Sequence, residues 1–154
     1  MPSVLILEDD QLTSERLQTL ISNELEELGV STGIEIIETE RDFRKDWMER
    51  LRADKVSIPD VIVIDIMLLW CFPSPDSDPR PPDVIEGGFH MAGIRCFDAI
   101  CAEPKLRRTK KIFYTALTKV DLEEMKAKIP SEIPLITKDQ DGIGVARLIK
   151  SWLS

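Results

Sequence analysis

The chain has 154 residues, the usual size of one domain and enough to bury a core, and its 43% apolar content is ordinary for a globular protein. Twenty-eight acidic against twenty basic residues leave a net charge of −8, which argues against nonspecific binding to nucleic acid. The longest strongly apolar run, Val61 to Phe72, is too short for a membrane span and is interrupted by Asp65.

Met1-Pro2-Ser3 supplies neither the basic head nor the cleavage site of a signal peptide. The three cysteines, Cys71, Cys96 and Cys101, are widely spaced and form no metal knuckle or redox pair, so they read as reduced thiols in a cytoplasmic protein.

Val4 to Leu7 is a short apolar run that ends in three acids, the pattern of a buried parallel strand at its C-terminal mouth. The period then changes. Leu17, Leu20, Ile21, Leu25 and Leu28 mark one face of a helix ending at Gly29, and Ile34 to Ile37 predicts a second strand. Phe43, Trp47, Met48 and Leu51 trace another helical face. Val61 to Ile66 is the strongest strand signal, β-branched on both faces and so expected at the sheet centre.

Cys71 to Gly88 carries Pro73, Pro75, Pro79, Pro81 and Pro82, a density that predicts one long loop. Phe89, Ala92, Gly93, Cys96, Phe97 and Ile100 make a third helical stripe. Lys105, Arg107, Arg108, Lys110 and Lys111 follow, read as a solvated helix end, with a partner or anion patch as the alternative. Lys111 to Thr115 predicts a fourth strand. Thr118 is placed to cap a helix carrying Leu122, Met125 and Ile129, with Asp121 at the capping-box position. Pro134 to Thr137 predicts a fifth strand, and Val145, Leu148, Ile149, Trp152 and Leu153 a closing helix. Five strands alternating with five helices imply a doubly wound, mostly parallel α/β sheet with helices on both faces, in a single domain spanning 1–154.

In such a sheet, ligands bind beyond the C-terminal strand ends. Glu8, Asp9 and Asp10 follow the first strand, Asp65 lies near the end of the third, Thr115 closes the fourth and Lys138 follows the fifth. These groups converge if the first strand lies between the second and the third. Clustered carboxylates without imidazole or thiolate suit a hard cation such as Mg²⁺. A lysine and a threonine hydroxyl are suited to phosphoryl oxygens, and a central carboxylate to the nucleophile's role. Asp9 or Asp10 alone would be read as a helix cap. Asp65, inside an apolar run, is costly to bury unless it opens on a site.

With these residues in hand, nearly the whole chain resembles the receiver domain of two-component response regulators, the CheY-like, flavodoxin-like three-layer fold. Val4-Leu5-Ile6-Leu7-Glu8-Asp9-Asp10 is similar to the family's first strand and acidic pair, Ile62-Val63-Ile64-Asp65-Ile66-Met67-Leu68 to its phosphoacceptor strand, and Tyr114-Thr115-Ala116 to its switch threonine motif. The resemblance implies phosphorylation at Asp65 and a Mg²⁺ ion held by Asp9, by Glu8 largely through water, by Asp65 and by the Met67 carbonyl. It makes Thr115 and Lys138 the other catalytic residues, and Asp10 a variable position.

Implied partners are a histidine kinase or histidine phosphotransfer protein and a downstream protein target, with no nucleic acid or membrane partner and a homodimer left open. The activity implied is self-phosphorylation and self-dephosphorylation in phosphorelay signal transduction, rather than enzymatic turnover. No output domain follows Leu153, although the chain stops where a receiver excised from a longer protein would also stop.

Three departures stand out. Asp139 follows Lys138 where the family usually has proline, and Leu135 occupies the position of an aromatic switch residue. The loop at 70–87 is expanded, and is the segment expected to report phosphorylation in this chain. Two rival readings are a receiver-like adaptor that is never phosphorylated and a small metal-dependent phosphatase. The latter needs a general acid or base, and His90 is expected to be a surface or half-buried helix residue instead.

Overall fold

The computed structural model describes residues 1–72, 78–138 and 142–154. Five parallel strands form one sheet in the order β2-β1-β3-β4-β5: β1 Ser3–Leu7, β2 Gly33–Ile37, β3 Val61–Ile64, β4 Lys110–Thr115 and β5 Leu135–Thr137. The order meets the condition for convergence, because β1 lies between β2 and β3.

Alternation along the strands sorts their side chains into two cores. Leu5, Leu7, Ile62, Ile64 and Phe113 face one side; Val4, Ile6, Val61, Val63, Ile112 and Tyr114 face the other. On the first side lie α2 (Met48–Arg52), reached through a π-helical turn at Asp42–Trp47, then α4 (Ala92–Ala102) and α5 (Lys119–Lys126). On the second side lie α1 (Gln11–Glu26) and α6 (Ile143–Leu153). Each fully buried aliphatic side chain contributes about 1.5–3 kcal/mol, so the two faces together make the fold three-layered. No helix among the described residues is long and apolar enough to cross a membrane.

Most elements follow the expected periodicity, with local differences. Leu28 and Phe89 are exposed, because α1 ends at Glu26 and Phe89 belongs to a 3₁₀ turn ahead of α4. β3 stops at Ile64, although the Asp65 amide still donates to Leu7 O. The Thr118 hydroxyl accepts from the Asp121 amide and caps α5. The basic run is partly internal: Lys105 donates to Leu51 O, Arg52 O and Asp54, and Lys110 lies over the Trp152 ring. No disulfide joins the three cysteines, and Cys71 and Cys96 are buried.

The expected continuous loop at 70–87 needs correction. Pro82–Gly87 forms a short helix, α3, because Pro82 sits in its first turn, where a missing N–H costs nothing, and Pro81 is extended ahead of it. Gly88, at φ +75, ends that helix. Trp70 and Cys71 pack with Val84 in a small satellite core, while Phe72 is exposed. Pro73 and Pro75, with the rest of 73–77, lie outside the described residues, as does Asp139.

The far side of this segment is clasped by charge. Glu40, fully buried, receives two hydrogen bonds from Arg95 (2.7 and 2.8 Å) and one from Arg44 (2.9 Å), and Arg44 reaches Asp83 on α3 at 2.7 Å. The Glu40 amide donates to Leu69 O, and the Trp70 indole N–H donates to Asp78 O. A buried charge persists only when paired in this way.

Candidate functional site

At the C-terminal mouth of β1 the chain turns through Glu8, Asp9 and Asp10, and their three side chains take different roles. Asp10 is the exposed N-cap of α1; its carboxylate accepts from the Leu12 amide at 3.1 Å and the Thr13 hydroxyl at 2.8 Å. It therefore drops out of the acidic cluster. Glu8 is buried and faces inward, and Asp9, half-buried, accepts from the Leu69 amide at 3.2 Å. Asp65, one residue past β3, is also buried and accepts from the Met67 amide at 3.4 Å.

Lys138, one residue past β5, closes the group. Its ammonium lies 2.5 Å from Glu8 Oε2 and 3.0 Å from Asp65 Oδ2, and its amide donates to Thr115 O at 2.8 Å. Thr115 itself is fully buried, and its hydroxyl makes no hydrogen bond with any described residue. A buried hydroxyl without a partner is costly, so a ligand oxygen at this position would recover the lost interaction.

The electrostatics follow from burial. Desolvation, reinforced by the Asp65 charge, pushes the Glu8 carboxyl up to about 8, against the opposing pull of Lys138. Asp65 is likewise raised by burial, with Lys138 opposing. Burial pulls Lys138 down, but the two carboxylates outweigh it and hold the ammonium above the usual lysine value.

Glu8, Asp9 and Asp65 each offer a carboxylate oxygen, and the three oxygens lie within 4.8 Å of one another. The all-oxygen donor set fits a hard divalent cation such as Mg²⁺.

The structure thus brings together Glu8, Asp9, Asp65, Met67, Thr115 and Lys138, drawn from four strand ends. His90 is exposed on the turn before α4. Leu135 opens β5 and packs against the α2–α4–α5 core.

Sequence reasoning missed two supporting residues. Gly93 was visible only as a position in a helical stripe, yet its amide donates to Ile66 O at 2.7 Å, and a Cβ there would lie 2.2 Å from Asp65 O. Tyr114, read in the sequence as a strand residue and as the neighbour of Thr115 in the switch motif but given no role, places its ring beneath the Lys138 ammonium.

The sheet order and the site's place at the strand mouths define a flavodoxin-like fold of the CheY receiver type. Solved structures of that type superpose on it along nearly their whole length. The Mn²⁺-bound form of response regulator Rcp1 matches with a TM-score of 0.63 and 16% identity, over 99% of this chain and 94% of that one. The phosphorylated cyanobacterial phytochrome response regulator RcpA gives 0.64 and 18%, over 99% and 94%. The signal receiver domain of a signal transduction histidine kinase from Syntrophus aciditrophicus gives 0.60 and 23%, over 99% and 90%. No protein-family model and no curated protein matches the sequence, so the likeness is one of fold.

Proposed function

We propose that this chain is a cytoplasmic phosphoacceptor, a single receiver domain that takes a phosphoryl group onto Asp65 from a histidine kinase or histidine phosphotransfer protein and passes the signal to a protein target. The observation that carries the reading is the Lys138 ammonium held between Asp65 and Glu8 at the strand mouths, where β4 ends in the buried, unpartnered Thr115 hydroxyl.

In this reading the Asp65 carboxylate attacks phosphorus, an O–P bond forms, and the P–N bond of the donor phosphohistidine breaks as the imidazole leaves. Lys138 shifts its charge from the carboxylates to a phosphoryl oxygen, and the Thr115 hydroxyl donates to another. Glu8, Asp9, Asp65 and the Met67 carbonyl would hold Mg²⁺, which when bound neutralises charge between the acids and the phosphoryl oxygens. Water later hydrolyses the acyl phosphate at Asp65.

The test is incubation with a small acyl phosphate in Mg²⁺, followed by intact-mass spectrometry. The native chain should gain one phosphoryl group and Asp65→Asn none. A native chain that stays unmodified would favour the adaptor reading. Steady phosphate release far above one equivalent would favour a phosphatase.

A further inference from the structure

We infer that Tyr114 is a positioning residue for Lys138, its ring holding the ammonium over Asp65 and its hydroxyl end linking that ammonium to the start of α6. The inference about rate rests on the phosphoacceptor reading; the contact itself does not.

Three observations meet at this side chain. The Lys138 Nζ stands over the Tyr114 ring at 5.6 Å from its centroid, within the reach of a cation–π attraction. Tyr114 is 5% exposed and belongs to the core shared by α1 and α6, so the ring has little freedom to leave the ammonium. At Gly142, the N-cap of α6 at φ +87, a Cβ would lie 3.2 Å from the Tyr114 hydroxyl oxygen and 3.4 Å from both Leu17 and Leu20. The hydroxyl end of the ring therefore abuts the turn into α6. A cleft of about 180 Å³ lined by Thr13, Arg16, Leu17, Tyr114 and Lys138 opens on the same side.

The physical consequence follows from the number of partners. The Lys138 ammonium has three hydrogens, and Glu8 and Asp65 accept from it. Both carboxylates change their electrostatic role once a phosphoryl group and a cation arrive, whereas the ring face does not. The ring is the fixed side of the ammonium's surroundings, and it keeps Lys138 at the site while the other two contacts are redrawn. Leu135 packs on the opposite face of the sheet, so the aromatic contact of Lys138 ties it to the α1–α6 layer.

The experiment has two parts. In the native protein, the Lys138 ε-methylene signals should show an upfield ring-current shift by NMR, kept in Tyr114→Phe and lost in Tyr114→Leu. Phosphorylation by a small acyl phosphate should slow by roughly 2- to 30-fold in Tyr114→Leu, the range that a cation–π contact confers, and Tyr114→Phe should recover most of that loss. In a Lys138→Ala background, Tyr114→Leu should add nothing. Trp152→Leu, which removes the ring beneath Lys110 at 5.1 Å in the same layer, is the control and should leave the rate unchanged.

An unshifted Lys138 signal in the native protein overturns the inference whether or not any variant folds. So does an equal slowing by Tyr114→Leu with and without Lys138. A shifted signal in a protein that takes up no phosphoryl group upholds the contact and rejects the phosphoacceptor reading.

Discussion

The Lys138 ammonium lies 2.5 Å from Glu8 Oε2, across 130 residues of chain, and 3.0 Å from Asp65 Oδ2. One cation therefore links the ends of the first, third and fifth strands, and its removal leaves buried acids facing one another. Lys138→Ala should fold, since Glu8 and Asp65 can take up protons in response. It should lose phosphorylation by a small acyl phosphate at least tenfold, measured as the rate of phosphoryl gain by mass spectrometry. A native rate would remove Lys138 from the chemistry.

Asp9 contributes an oxygen to the acidic cluster and accepts from the Leu69 amide. At an effective dielectric of 20, unit charges 4 Å apart interact by about 4 kcal/mol, and roughly a third of that is already tenfold in affinity. Asp9→Ala should weaken Mg²⁺ binding at least tenfold and slow phosphorylation with it. Calorimetric titration with Mg²⁺ checks this, and an unchanged isotherm would remove Asp9 from the metal site.

Gly93 should be irreplaceable for a steric reason. Alanine in a helix is normally favoured over glycine by about 1 kcal/mol, but here its Cβ would meet Asp65 O at 2.2 Å and Ile66 Cα at 2.5 Å, both backbone atoms. Gly93→Ala should destabilise by about 1–3 kcal/mol, as overpacking does, and should also slow phosphorylation by displacing Asp65. Thermal unfolding gives the first effect and the phosphorylation rate the second. A stabilised variant would show that α4 does not press on Asp65.

Glu40 joins Arg95 of α4 to Arg44, and through Arg44 to Asp83 of α3. Breaking a buried pair by removing one partner costs about 3–5 kcal/mol, because the stranded charges stay desolvated. Glu40→Ala should lower stability in denaturant melts by an amount of that order. It should also speed protease cleavage within 78–91. Unchanged cleavage there would mean that α3 is held by its apolar contacts alone.

Glu103 caps the 3₁₀ turn Pro104–Leu106 by accepting from the Lys105 amide at 3.2 Å, and Arg52 donates to it at 3.1 Å. The amide hydrogen bond, with Arg52 adding to it, holds the carboxyl below its ordinary 4.5. A depressed folded-state value contributes stability that is complete above pH 4.5 and is lost as pH falls through the lower folded value. Glu103→Gln should therefore cost about 0.5–1 kcal/mol at pH 7, as lost caps do, and less at an acidic pH below the folded value. Urea melts at the two pH values check this, and an equal loss at both would show a packing role instead.

Periodicity alone determined the α/β class, the alternation of elements and the acids at the strand ends. The apolar runs at Val4–Leu7 and Val61–Ile64 have no polar face, so only burial on both sides suits them. Asp65 stood out because it interrupts such a run, and the resemblance to receiver domains turned that position into a phosphoacceptor expectation.

Tertiary structure decided the rest. The sheet order β2-β1-β3-β4-β5 is a matter of crossover direction, which no local pattern records, and in that order Lys138 reaches Glu8. Asp9 and Asp10 are identical in type and adjacent, yet one turns toward Asp65 and the other caps α1, a choice made by backbone direction after β1. α3 was hidden because proline reads as a helix breaker until its place in the first turn is known. The roles of Gly93 and Tyr114 have no local signal either: a glycine in a stripe and a tyrosine beside the switch threonine acquire their meaning from the atoms across the gap, 2.2 Å away at Asp65 O for the added Cβ and 5.6 Å away at Lys138 for the ring.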